Sequence, residues 1–218
     1  MPEFNLIQKL AVWALPVLFA ITLHEVAHGW MARRLGDPTA MMLGRLSLNP
    51  LRHIDPIGTV LVPALLLAMG GVIFGWAKPV PVTWENLRHP RRDMALVGLA
   101  GPAANLLMAV AWALALKVGF LLSAQGLSWV ARPLSYMALA GISINVILMV
   151  LNLLPLPPLD GSRVVAGFLP PRWAEAYGRI EPYGFLILLA LLVTGVLGRI
   201  LWPMVQGLEG LFYRLLGL

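Results

Sequence analysis

The sequence predicts an all-α polytopic membrane protein with four or more transmembrane helices, a re-entrant segment and a small membrane-associated β element, in one domain over residues 1–218. Three observations predict it. First, 59% of the residues are hydrophobic and 12% charged, at a mean hydropathy of +0.81. A soluble domain of this size could not cover so much apolar surface, so the solvent must be lipid. Second, the charges lie between long apolar runs, not within them. The net charge of +6 is therefore a set of topology charges and not a nucleic-acid surface, which would interleave basic and aromatic residues. Third, there is no cysteine, which removes disulfides, thiolate zinc sites and cysteine nucleophiles together. His, Asp and Glu remain as the strong ligands for a transition metal.

The first helix is expected over residues 7–34, with Pro16 inside it and Arg33 and Arg34 at its end. The N-terminus has no basic n-region, and no small-residue cleavage site precedes the motif, so this reads as a retained helix and not a signal peptide. Between Leu10 and Met31 the only ionisable side chains are His24, Glu25 and His28, in the run ITLHEVAHGW. Histidines at i and i+4 share one helix face about 6 Å apart along the axis. That spacing lets two imidazole nitrogens reach one metal ion, with the adjacent Glu placed to handle a metal-bound water. Ionisable groups at membrane depth cost about 2.5 kcal/mol or more each, and persist where they have work or partners.

Residues 35–56 contain Gly36, Pro38, Gly44, Pro50 and Pro56, which rule out a long helix. Within them, residues 39–48 suit one or two strands at the membrane surface. His53 and Asp55 lack a partner at ligand spacing and read as loop residues. Residues 57–77 carry no charge and are about long enough to cross once, but Pro63 and the Gly70-Gly71 pair interrupt them. A polar, turn-rich loop follows over residues 78–93, with His89 at its surface.

Residues 94–116 form a second uncharged helix that opens with GLAGPAANLLMA, whose small residues allow close helix contact. Its Asn105 is either an interhelical hydrogen-bonding amide or a residue that supports the site. After a loop over residues 117–132, a helix over residues 134–154 carries Asn145 and Asn152 and runs into LNLLPLPPLDGSRV. Pro155, Pro157 and Pro158 halt it. Asp160 can then cap a short helix over residues 162–169, or serve as a third metal ligand. Taken alone, capping is the simpler reading. An unfilled His pair in the same membrane shifts the balance, because catalytic zinc commonly takes three protein ligands and a water. A polar connection over residues 162–182, a last spanning helix over residues 183–197 and an interfacial tail over residues 200–218 complete the chain.

Asp160 can join His24 and His28 only if the helix before it ends on their side of the membrane. That requires residues 57–77 to dip in and return. The resulting topology puts eleven of the 16 Lys and Arg residues on the side where the first helix ends, and makes that side cytoplasmic. A single crossing would divide them evenly.

Together HEVAH, GPAAN and NLLPLPPLDG, in that order, resemble the site-2 protease family of intramembrane metalloproteases. The run FGWAKPVPV resembles the short prokaryotic branch without PDZ or CBS domains. The resemblance covers nearly the whole chain. It implies one zinc ion per chain held by His24, His28 and Asp160, with Glu25 as catalytic base. It further implies a membrane-embedded sheet beside the substrate path, and a role for Asn152 in positioning substrate. The expected partners are transmembrane protein substrates within a prokaryotic cytoplasmic membrane, with the active site nearer the cytoplasmic face and no nucleic acid involved. Two other classes are weighed against this: a zinc-binding or helix-binding protein without catalysis, and a metal transporter. A purely structural site needs no base and usually has four protein ligands, which speaks against the first. Residues 11–22 offer almost no polar groups for a transit path, which speaks against the second.

Overall fold

The computed structural model describes residues 5–62 and 76–217. Among them the regular structure is helical: α1 (Leu6–Arg34), α2 (Thr39–Met42), α3 (Pro90–Ala124), α4 (Ser128–Asn152), α5 (Asp160–Phe168), α6 (Pro171–Gly178), α7 (Glu181–Val193) and α8 (Val196–Leu216). Short turns of tighter or wider helix at Pro50–Arg52, Pro56–Leu61 and Trp84–Asn86 link them. The helices α1, α3 and α4 are long and apolar enough to cross a membrane, and α6 with α7, bent by 59°, make a fourth span if taken as one. Leucines such as Leu107, Leu114 and Leu121 stand exposed along α3, which in this composition is a lipid-facing surface. The chain is a membrane protein.

Helix α1 begins at a reciprocal cap. Asn5 Oδ1 accepts the Gln8 N–H at 2.9 Å, and Gln8 Oε1 accepts the Asn5 N–H at 3.1 Å. At its other end Arg33 and Arg34 stand against the negative end of the helix dipole. The apolar core lies between α3, α4 and α8, where Ala109 and Ala113 of α3 admit Ile142 and Val146 of α4, and Val205 and Phe212 close the cluster. Small side chains on α3 are what allow the backbones this approach.

Beyond α1 the chain is tied down by one buried carboxylate. Asp37 accepts hydrogen bonds from the Thr39 N–H at 3.0 Å, the Thr39 hydroxyl, the Thr83 N–H at 2.7 Å and Asn86 Nδ2 at 3.0 Å. Burial alone would raise its pKa. The donors from Asn86, Thr39 and Thr83 outweigh that and hold it below the ordinary carboxylate value. Residues 78–86 thereby form a strap fastened to the end of α1.

Several elements differ from expectation. In place of strands over residues 39–48 there is the single turn α2 followed by irregular chain, and no strand occurs among the described residues. Positive-φ Gly36 and Gly44 bracket that turn and bend the chain before any ladder can form. The expected loop over residues 117–132 shrinks to Gln125–Leu127, because α3 runs on to Ala124 and α4 starts at Ser128. The polar connection over residues 162–182 is mostly helical, as α5 and α6. The last expected span stops at Val193, ahead of Gly195 at φ +73. The expected interfacial tail is the 21-residue α8, which buries Val205 and Phe212 against the core and accepts the Ser143 hydroxyl on Glu209 Oε1 at 2.6 Å. Of the re-entrant segment, residues 63–75 lie outside the described residues. Its flanks meet: the Trp76 N–H donates to Gly58 O at 3.0 Å, and the Thr59 hydroxyl donates to Trp76 O at 2.8 Å.

Candidate metal centre

His24 and His28 project from one face of α1 and are 7% and 5% exposed. Each ring has its outer nitrogen occupied. His24 Nδ1 donates to Asn105 Oδ1 of α3 at 2.6 Å, and His28 Nδ1 donates to the Val97 carbonyl of α3 at 2.7 Å. Both partners are oxygens with only lone pairs to offer, so in the neutral rings the Nδ1 atoms carry the protons and the Nε2 atoms carry the lone pairs.

Those two Nε2 atoms lie 3.1 Å apart. Asp160 Oδ2 stands 3.2 Å from the first and 3.1 Å from the second. It is buried and has no hydrogen-bond partner. Three buried acceptors thus crowd one point, a repulsive arrangement unless a cation fills it. The spacing suits zinc: nitrogen ligands at about 2.0–2.1 Å in a tetrahedron lie about 3.3 Å from one another. Among the described residues, His24, His28 and Asp160 are the group able to hold a metal ion.

Asp160 reaches this point because of what surrounds it in sequence. After α4 the chain turns through Pro155, Pro157 and Pro158, and Tyr177 of α6 donates its hydroxyl to Pro155 O at 2.8 Å. Asp160 then opens α5, with Leu159 at the cap position. Its carboxylate faces the imidazoles and does not cap the helix. Next to it, a Cβ on Gly161 would lie 2.3 Å from Leu153 O, so only glycine lets the first turn of α5 fold under the end of α4. The other Asp160 oxygen, Oδ1, lies 3.7 Å from Arg163 Nη1.

Helix α3 forms the wall behind the rings. A Cβ on Gly101 would lie 2.4 Å from His28 Nε2 and 2.6 Å from His24 Cε1. Gly101 and Asn105, four residues apart on one face of α3, make up the GPAAN signal: one leaves room for the imidazoles and the other grips the first of them. Asn105 is thus a partner of His24 from α3, and it also bonds α1 and α4. Its Nδ2 donates to Asn145 Oδ1 of α4 at 2.9 Å and to Ala20 O at 3.3 Å.

Glu25 is partly buried, and its Oε2 accepts the Val80 N–H of the strap at 2.8 Å. Pro79 and Pro81 on either side have no N–H, so Val80 carries the donor available at this point of the strap. Asn152, by contrast, donates to Leu148 O one turn back in its own helix at 3.0 Å. His53 donates from Nε2 to Ser47 O, Asp55 accepts the N–H groups of Ile57 and Gly58, and the His89 N–H donates to Asp93, all loop and cap roles. Val80 and Asn145 are neighbours of the site whose roles there the sequence does not show.

The chain is 39% identical over 197 residues to "Putative zinc metalloprotease YwhC" of Bacillus subtilis, covering 87% of this chain and 84% of that protein. It is 37% identical to "Putative zinc metalloprotease Rip2" of Mycolicibacterium smegmatis, over 84% of this chain and 66% of that one. Against the protein of the same name from Mycobacterium tuberculosis the identity is 31%, over 91% and 74%. No family model and no solved structure matches the chain. With its acceptor triad inside apolar helices and relatives of this kind aligned along most of its length, the chain belongs to the site-2 protease family of zinc metalloproteases that includes YwhC and Rip2.

Proposed function

We propose that this protein is an intramembrane zinc metalloprotease that hydrolyses peptide bonds within or near transmembrane segments of other membrane proteins. The observation that carries the reading is the convergence of His24 Nε2, His28 Nε2 and Asp160 Oδ2, within 3.2 Å of one another, one residue from Glu25. These three atoms would hold one zinc ion. When bound, it supplies Lewis acidity, polarising the scissile carbonyl and bringing the pKa of a water toward about 7. Three protein ligands leave a coordination position for that water, as in catalytic and not structural zinc sites.

Glu25 is the proton carrier. Its Oε2 is held by the Val80 N–H, and its Oε1 has no partner among the described residues. Oε1 takes the proton of the attacking water and delivers it to the leaving amine. The two imidazoles keep their Nδ1 protons on Asn105 and Val97, so neither competes for that proton. A helical substrate hides its peptide bonds and must unwind before one can enter. Strand addition has no partner strand among the described residues, and Asn152 at the end of α4 is the candidate for holding the unwound segment.

The meeting of Gly58 with Trp76 supports a segment that enters the membrane and returns. That topology, with the excess of basic residues on the side of Arg33, supports a site nearer the cytoplasmic face of a prokaryotic membrane. The run FGWAKPVPV, with no PDZ or CBS module between the metal ligands, supports the short branch. The test is Glu25→Gln in purified protein. Zinc content stays near one per chain and cleavage of a membrane-spanning test substrate disappears. Cleavage that survives excludes Glu25 as the base, and zinc binding without cleavage by the unaltered chain favours a non-catalytic binding protein.

A further inference from the structure

We infer that Asn145 is a positioning residue of the metal centre: through Asn105 it fixes which nitrogen of His24 is free to bind the ion. The inference rests on the reading of His24, His28 and Asp160 as a zinc site. Asn145 lies on a different helix from the ligands, and its partner toward the centre is Asn105.

The orientation of two amides sets the tautomer of His24. An amide group can sit either way round, and only its partners decide. Asn145 Nδ2 donates to Gly141 O at 2.8 Å, one turn back in α4. That carbonyl is backbone and can only accept, so Asn145 must present its Oδ1 to α3. There it accepts Asn105 Nδ2 at 2.9 Å, whose other donation goes to Ala20 O, again backbone. Reversing Asn105 would turn its oxygen onto two acceptors at once. Its Oδ1 is therefore committed to His24, and His24 Nδ1 must be the protonated nitrogen. The lone pair is left on Nε2, where the acceptors converge. Asn105 and Asn145 are both 0% exposed, so no solvent can substitute for a missing member.

The two histidines differ in this respect. His28 is oriented by a backbone carbonyl, Val97 O, which no substitution removes. His24 is oriented by a side chain that is itself oriented by a side chain. The dependence on Asn145 thus falls on one ligand of the pair.

The experiment measures zinc affinity of the purified full chain by competition with a chelator, alongside thermal unfolding. Asn145→Leu fills the site without offering an acceptor, and Asn145→Ser keeps a donor for Gly141 O but is too short to reach Asn105. Each should weaken zinc binding about 10- to 100-fold, the range seen when partners of metal-bound histidines are removed. Asn145→Asp, neutral in this burial, can donate to Gly141 O and accept from Asn105, and should return affinity to within about threefold of the unaltered chain. Val146→Ala, the next residue of α4 and equally buried, should lose thermal stability with zinc affinity unchanged. Unchanged affinity in both Leu and Ser variants overturns the inference, as does equal loss in Asn145→Asp or in Val146→Ala. A chain that binds no zinc, with His24→Ala making no difference, overturns the zinc reading and this inference with it. Zinc binding lost in His24→Ala but kept in the Asn145 variants overturns this inference alone.

Discussion

At the scale of single residues, the centre is defined as much by what is missing as by what is present. Gly101 contributes no atoms beyond its backbone, yet any side chain there would overlap both imidazoles. Gly101→Ala is expected to displace His28 and reduce zinc retention about tenfold or more, read as zinc per chain after dialysis against a weak chelator, with the helical circular dichroism unchanged. Asp37 makes a prediction in pH. Its folded pKa lies below the unfolded value, so the stability it adds is present in full above the unfolded carboxyl value of about 4 and is lost as pH falls through the lower folded value. Asp37→Asn places an N–H where the carboxylate accepts one, and should cost about 1–3 kcal/mol at pH 7. The gap between the two proteins in thermal or denaturant unfolding should narrow progressively as the pH falls below the unfolded carboxyl value of about 4. A gap independent of pH would mean that the carboxylate charge contributes nothing.

At the scale of elements, the strap over residues 78–86 connects the end of α1 to Glu25 within the same helix. Asp37 pins it at Thr83 and Asn86, and Glu25 holds it at Val80. Val80→Pro removes the N–H that Val80 gives to Glu25 and should lower kcat about 10- to 100-fold, the scale of a catalytic group shifted by about an ångström. KM and zinc content should stay near those of the unaltered chain. Val80→Ala keeps the N–H and should keep kcat, while losing packing. Equal kcat in the two variants would dismiss the strap as a positioning device. This connection was not legible in the sequence, because the bond joins residues 55 apart and the donor is backbone, which leaves no mark in side-chain identity. The three residues of the candidate centre stood out in the sequence for the opposite reason. His24 and His28 follow helical spacing, and Asp160 follows a proline-rich break that stops one helix and starts another. The tail, expected as an interfacial helix over residues 200–218, is the helix α8, which carries Pro203 inside it and buries one face on α3 and α4. Which leucine-rich face meets the core is set by its neighbours and not by its own composition. Expected strands gave way to α2 because composition located the break in helix but could not say which irregular path fills it.

At the scale of the whole molecule, the chain supports a topology that can be read chemically. It has no cysteine, so single introduced cysteines report without background. Cysteines at Glu85, exposed in the turn Trp84–Asn86 ahead of α3, and at Arg172, exposed in the first turn of α6, should react with a membrane-impermeant thiol reagent from the same side, and one at Gln125 from the opposite side. Labelling of Glu85 and Arg172 from different sides would break the proposed arrangement of spans. Of the four or more spans expected, the apolar runs located three, α1, α3 and α4, while the fourth, α6 with α7 taken as one, is a pair of helices bent by 59°. Helix ends shifted because helix continues through polar residues at the lipid boundary. One consequence of the wall formed by α3 follows for inhibition. With Gly101 seated against the ring edges, that flank of the centre is shut even to a methyl group. A zinc-chelating drug would have to come in from a side not walled by α3, and bulk added at Gly101 would press on the lock itself and not on any doorway.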